Sequence, residues 1–95
     1  MAGRNSDRTI KPPISGAQLR AARALLKWSV HELSDQCRVS RSAIARGEKV
    51  DGVLSMQARN LDAIRRVFEE RGIEFLGLDG VRLRRGDQTI ERRMG

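Results

Sequence analysis

The stretch from residue 29 to residue 48 carries the start signals of two short helices, and it constrains the fold more than any other part of the chain. Ser29 and Glu32 have the spacing of a capping box, in which a serine and an acidic residue satisfy each other's backbone amides. Ser40 repeats the N-cap signal eleven residues later. Because only two residues separate the first helix from the second cap, the pattern predicts a helix-turn-helix.

The second of these helices, predicted over residues 41–48, has one apolar face and one polar face. Ile44 is expected to point inward, whereas Arg41, Ser42 and Arg46 are expected to face outward. Arginine can donate paired hydrogen bonds to guanine edges, and serine can contact phosphate. The face is therefore either a DNA-reading surface or the solvated basic face of an ordinary bundle, and the capped helix pair favours DNA. The cations of this segment are Arg38, Arg41, Arg46 and Lys49.

The net charge of the chain narrows the class of partner. Its 95 residues include 19 Lys and Arg against 12 Asp and Glu, which gives a net charge of +7. Such a chain is expected to bind a polyanion, either nucleic acid or an anionic membrane surface. No apolar run approaches the roughly 18 residues that would span a bilayer. Two Phe, one Trp and no Tyr offer few platforms for single-stranded bases, so double-stranded DNA is the expected ligand.

The sequence offers no basis for an enzyme. His31 is the one histidine, and no second His or Cys has a spacing that would share a metal ion with it. No phosphate-binding glycine loop or nucleophile elbow is present, so we expect no catalytic residue, metal or cofactor. Cys37 is the single cysteine, which allows no internal disulfide. Together with the missing signal-peptide pattern, it predicts a cytoplasmic protein.

The chain divides into four predicted segments. Residues 1–13 show no periodicity and are predicted to be a mobile arm, whose cations either reach DNA or only solubilise the chain. Residues 14–72 are predicted to form the DNA-binding domain, residues 73–85 a C-terminal β-hairpin, and residues 86–95 a flexible tail. The expected fold is one mainly α domain.

Two further helices complete the predicted domain. The first runs from about residue 16 to residue 27 and begins at a second capping box, Ser15 with Gln18. The last is predicted over residues 55–71 and ends before Gly72, a residue type that suits the left-handed position after a helix. Apolar residues at helical spacing give both helices a face to bury.

After Gly72 the apolar pattern changes from a helical period to alternation. Two alternating runs flank a segment that ends in Asp79-Gly80, which is a strong hairpin signal. An isolated hairpin is marginal in water, so this one must pack on the bundle or pair with another chain. We predict that residues 73–85 pair with their symmetry mate in a homodimer. In the alternative, the hairpin folds back on its own bundle and dimers form only on DNA.

Taken together, these segments resemble the lambda-repressor-like (Cro/C1, XRE-type) family of bacterial regulators over about residues 15–85. The resemblance rests on LRAARALLKWS, HELS, VSRSAIARGEK, RGIEFL and GVRLRR. It implies a compact four-helix bundle with a C-terminal strand or hairpin, and a dimer on a palindromic operator. Such a protein would be a transcriptional regulator, most simply a repressor or autoregulator. The alternative is an antitoxin or adaptor that uses the same fold to bind a protein.

The resemblance also implies roles for individual residues. The positions that match base-reading residues are Arg41, Ser42 and Arg46. The positions that match DNA-backbone contacts are Ser29, Ser40 and Lys49. Arg38, the cation in the turn, is added to them as a further expected backbone contact. The pair that matches a bridge between the first helix and the third is Arg23 and Glu48.

Three positions depart from the family pattern. Val30 stands where a glutamine is usual, and Arg38 stands where the turn usually has glycine. If the turn is left-handed, a non-glycine residue there costs about 1 kcal/mol. Gly47 replaces a large apolar residue, which is expected to remove core volume and to cost roughly 1 kcal/mol of helix propensity.

Overall fold

The computed structural model describes residues 12–84, which form four helices and a two-stranded antiparallel sheet. The mainly α fold with a C-terminal hairpin is confirmed for these residues. Most of the predicted arm, residue 85 and the predicted tail lie outside them. None of the helices in the described part is long and apolar enough to cross a membrane. The elements in chain order are α1 Gly16–Leu26, α2 Val30–Cys37, α3 Arg41–Glu48, α4 Ala58–Glu70, β1 Ile73–Leu76 and β2 Gly80–Leu83.

Serine side chains start the first three helices, as predicted. In α1, the Ser15 hydroxyl accepts from the Gln18 amide and the Gln18 side chain accepts from the Ser15 amide, both at 3.0 Å. Ser29 and Glu32 form the same reciprocal pair in α2. Ser40 caps α3 through a 3.1 Å bond from the backbone amide of Ala43. These local bonds satisfy amides that a helix start otherwise leaves without partners.

The predicted start of α4 was wrong, because the helix begins at Ala58 and not at residue 55. The residues before it are extended and pair with the segment that leads into α1. Val53 forms an isolated bridge with Ser15, and the Leu54 amide donates to the Ile14 carbonyl at 2.9 Å. This pairing joins distant parts of the sequence, so helical periodicity alone did not reveal it.

The hairpin is present, but its turn differs from the predicted one. Ile73 lies opposite Leu83, and three residues connect the strands. The left-handed residue of the turn is Gly77, at φ 59°, whereas Gly80 already belongs to β2. The Asp-Gly pair therefore identified the hairpin without marking the residue that reverses the chain.

One apolar core joins the helices to the hairpin. Its fully buried side chains come from all four helices, from β1 and from Ile14, which precedes α1. The Phe68 ring lies edge-on to Phe75 of β1 and is stacked beside Trp28, with centroids 6.1 and 6.0 Å apart. The largest buried side chains include Leu19, Leu33, Ile44, Ile64, Phe68 and Ile73.

The capping box of α1 also holds the turn of the hairpin. Gln18 is fully buried, and its Nε2 donates to the carbonyls of Gly77 and Gly80 at 2.8 and 2.9 Å. The Ser15 hydroxyl donates to the Leu78 carbonyl at 2.6 Å. The hairpin thus packs on its own bundle, and its pairing with a second chain stays a prediction.

Candidate nucleic-acid interface

The helix α3 has the two faces that its sequence predicts. Ile44 is fully buried in the core, whereas Arg41, Ser42 and Arg46 are exposed. The starts of α2 and α3 lie together, because the side chain of His31 contacts that of Arg41 at 3.2 Å. The residues assigned to the DNA backbone are exposed as well, namely Ser29, Arg38, Ser40 and Lys49.

The turn between α2 and α3 is left-handed, although it lacks the usual glycine. Arg38 has φ 64°, and its amide donates to the Ser34 carbonyl at 2.8 Å. The Ser34 hydroxyl donates to the Val39 carbonyl at 2.6 Å and closes the turn from the other side. Arg38 is therefore an exposed residue whose backbone conformation is strained.

Glu48, the acidic residue of α3, is turned away from the exposed basic face. Its carboxylate forms a two-pronged ion pair with Arg23 of α1, with N–O distances of 2.7 and 2.9 Å. The side chains are only 24% and 10% exposed, and Arg23 also donates to the Trp28 carbonyl at 2.8 Å. Hydrogen bonding to Glu48 raises the pKa of the Arg23 guanidinium above its ordinary value. The expected pair is therefore present, and it neutralises the carboxylate.

A second arginine of α1, which the sequence analysis did not assign to the site, holds the same end of α3. Arg20 donates to the backbone carbonyls of Glu48 and Val50 and, at 2.6 Å, to the Asp51 carboxylate. Residues three apart share one face of a helix, so its spacing from Arg23 was the available signal. The two arginines together bind the main chain and the side chain at the end of α3.

The glycine in the last turn of α3 lies against side chains from the following loop. A Cβ atom added at Gly47 would lie 2.9 Å from Leu54 Cδ2 and 3.3 Å from Met56 Cε. The space beside the glycine is thus occupied by these two side chains, which the sequence analysis had not connected with it. Because glycine has no side chain, the loop can approach the helix closely at this position.

The acidic, histidine and cysteine side chains of the described region form no metal-binding cluster. Residues 12–84 contain no group of three His, Cys, Asp or Glu side chains that could hold a metal ion. The Cys37 thiol is buried, and burial raises its pKa, which disfavours the reactive thiolate.

The surface formed by α3 and the turn before it can donate hydrogen bonds and attract negative charge, whereas α2 beside it carries the exposed carboxylates of Glu32 and Asp35. This surface presents arginine and lysine side chains and serine hydroxyls, and the one carboxylate of α3 is paired behind it. Neither a protein-family model nor a curated protein sequence matches the chain. The function is therefore inferred from the residues and geometry of this surface.

Proposed function

We propose that this chain is a sequence-specific regulator that binds double-stranded DNA, with a lambda-repressor-like bundle and α3 as its recognition helix. The observation that carries the proposal is the composition of the exposed face of α3. Arg41, Ser42 and Arg46 are exposed there, while Glu48 is withdrawn into an ion pair with Arg23. A short helix with this face suits the major groove, where arginine and serine can bond to base edges.

The two arginines of α3 are suited to different base pairs. Arg41 is the first residue of the helix and Arg46 lies in its last turn. Five residues at 1.5 Å per residue separate them by about 7.5 Å along the helix axis. This is roughly twice the spacing of adjacent base pairs, about 3.4 Å. Five residues also turn the helix by about 140°, so the two arginines leave it on different sides and can reach different guanines.

Contacts to the DNA backbone would fix the recognition helix in the groove. The hydroxyl oxygens of Ser29 and Ser40 accept bonds from backbone amides, and their protons remain free to be donated to phosphate. Arg38 and Lys49 supply positive charge at the two ends of α3. Such contacts set the register of a protein on DNA and carry no sequence information.

We further propose a homodimer on a palindromic operator. One recognition helix covers only a few base pairs, and a two-fold dimer places two of them about 34 Å apart, one turn of the duplex. The hairpin is a candidate contact because Leu76 and Leu78 are large apolar residues that are exposed on it. Each chain would present an already folded hairpin, since Gln18 of the same chain holds its turn.

The decisive experiment compares binding to a duplex selected from a random library with binding to a scrambled duplex. Arg41→Ala and Arg46→Ala should each lose about 1–3 kcal/mol on the selected duplex and relax the preference at particular base pairs. Lys49→Ala should weaken binding to both duplexes about equally. Arg66→Ala, which removes an exposed cation from α4, is the charge-matched control.

The base-reading roles are wrong if the two α3 variants lose affinity equally for both duplexes. The DNA-binding proposal itself is wrong if no duplex is selected over the random library. Co-purification of a protein that covers the α3 face would then favour the antitoxin or adaptor function.

A further inference from the structure

A chain of three side chains connects α2 to the first residue of α3. The Nη1 atom of Arg41 lies 3.2 Å from Nδ1 of His31, and Nε2 of His31 lies 3.5 Å from a carboxylate oxygen of Asp35. Arginine can only donate, so Nδ1 must accept and the imidazole proton must lie on Nε2. The Asp35 carboxylate, one turn further along α2, lies near Nε2, and its negative charge favours a proton there.

The contact leaves the base-reading edge of Arg41 free. The bond to His31 uses Nη1, while Nε and Nη2 remain available as the two parallel donors that fit O6 and N7 of guanine. A long exposed arginine loses rotamer freedom when it binds, and a bond that already orients it reduces this loss. His31 thus holds one side of the guanidinium without occupying its other side.

We propose that His31 is a positioning residue for Arg41, so that recognition of a base pair by α3 depends on His31 being neutral. This inference rests on the proposed DNA-binding function and extends it to a residue outside the recognition helix. A protonated imidazole has no lone pair for Arg41 and carries a charge of the same sign. The guanidinium is then released, while the Asp35 carboxylate still attracts the imidazolium.

Few other charges act on this imidazole. Among the described residues, Asp35 on α2 and Arg41 on α3 are the charged side chains that contact it. Glu32 on α2 instead accepts from the Ser29 amide, and Arg71, which follows α4, donates to Gln36. A change in the charge of His31 therefore acts mainly on Arg41.

Protonation has two opposite consequences for DNA binding. An added cation near the phosphates strengthens binding to every duplex. The loss of orientation at Arg41 weakens only the preference for the correct base pair. A fall in pH should therefore raise affinity for scrambled DNA and lower the ratio of selected to scrambled binding.

The test measures that ratio from pH 5.5 to pH 8.5 at constant ionic strength. For the native chain, the ratio should fall about 2- to 10-fold toward low pH, the range expected for one hydrogen bond. His31→Asn keeps an acceptor near the position of Nδ1 and does not titrate, so its ratio should stay high at every pH. His31→Ala should have the low ratio at every pH. Arg41→Ala should show no pH dependence of the ratio.

A measurement without DNA separates this inference from the proposed function. In nitrogen-15 spectra of the free protein, the side-chain resonance of Arg41 should shift as His31 titrates, and this shift should vanish in His31→Ala. The inference is overturned if that resonance does not follow His31, or if the native chain and His31→Asn show the same pH dependence of the ratio. If the resonance follows His31 but no duplex is selected, the contact stands and the DNA-binding function fails.

Discussion

Removal of the Arg20 side chain should loosen the end of the recognition helix without disturbing the Arg23–Glu48 pair. The helix α3 lacks a left-handed C-cap, since Lys49 has a right-handed conformation with φ −74°. The amides of Lys49 and Val50 bond back to α3 at 3.2 and 3.4 Å, which are long bonds. Arg20 is the side chain that binds the carbonyls at this end. We therefore predict that Arg20→Ala frays the last turn of α3.

The size of the effect follows from the three acceptors of Arg20. The Asp51 side chain is 86% exposed, and such a surface pair contributes about 0–1 kcal/mol. A cation at a helix C-terminus contributes about 0.3–1 kcal/mol. A hydrogen bond to a carbonyl contributes about 0.5–1.5 kcal/mol, and the low end applies because Arg20 is 40% exposed. The free energy of unfolding should fall by about 1–2 kcal/mol, which corresponds to a Tm lower by roughly 5–10 °C.

Two measurements on the free protein check this prediction. Thermal unfolding gives the global loss, and amide hydrogen exchange should be faster by about 5- to 30-fold at residues 46–50 if local opening changes by 1–2 kcal/mol. Asp51→Ala removes only the exposed partner and should have a small effect. Arg66→Ala again serves as the control for loss of one positive charge. In the DNA assay, Arg20→Ala should lower the ratio of selected to scrambled binding more than it lowers scrambled binding.

Arg20 does not hold the end of α3 if Arg20→Ala matches Arg66→Ala in both Tm and exchange at residues 46–50. The Arg23–Glu48 pair alone would then hold the end of α3. Another outcome would give Arg20 a different role in DNA binding. Equal losses on both duplexes, with unchanged exchange, would make it a phosphate contact and not a cap.

Two further predictions concern the turn and the dimer. Arg38→Gly should raise the free energy of unfolding by about 0.5–1 kcal/mol, because relief of the left-handed strain exceeds the added entropy of the unfolded chain. Lys27→Gly, at φ 60°, should give the same gain in chemical denaturation, and only the Arg38 variant should also lose affinity for all duplexes. The double variant Leu76→Glu, Leu78→Glu should sediment as a monomer under conditions where the native chain is a dimer, with little change in Tm since both positions are exposed. An unchanged mass would assign the dimer contact to another surface.

The parts of the fold that short-range patterns specify were predicted well. The caps at Ser15, Ser29 and Ser40 depend on residues three positions away, so their bonds can be inferred from spacing. The bounds of α3 follow from its cap and its apolar residue. The hairpin follows from alternation on both sides of a turn. The interaction of Arg23 with Glu48 is not short-range, and only the family resemblance suggested it.

The features that were missed depend on contacts between distant segments. The start of α4 was placed too early because residues 53–54 pair with the entry to α1. Gly16 was not singled out, yet a Cβ atom there would overlap the Val50 carbonyl oxygen, and its amide donates to the Gly52 carbonyl at 2.8 Å. Glycine at this position lets the loop after α3 lie directly on α1. Neither periodicity nor capping rules contain that information.

The helix α1 makes the long-range contacts that position both the hairpin and the recognition helix. The first turn of α1 holds the hairpin through Gln18, and its next turns hold the end of α3 through Arg20 and Arg23. The recognition helix and the hairpin are therefore positioned on one helix of eleven residues. If the hairpins form the dimer contact, the separation of the two recognition helices is set by this rigid connection and not by a flexible linker. A dimer of that kind would tolerate little change in the spacing between half-sites, because one added base pair shifts a half-site by about 3.4 Å and also rotates it around the duplex.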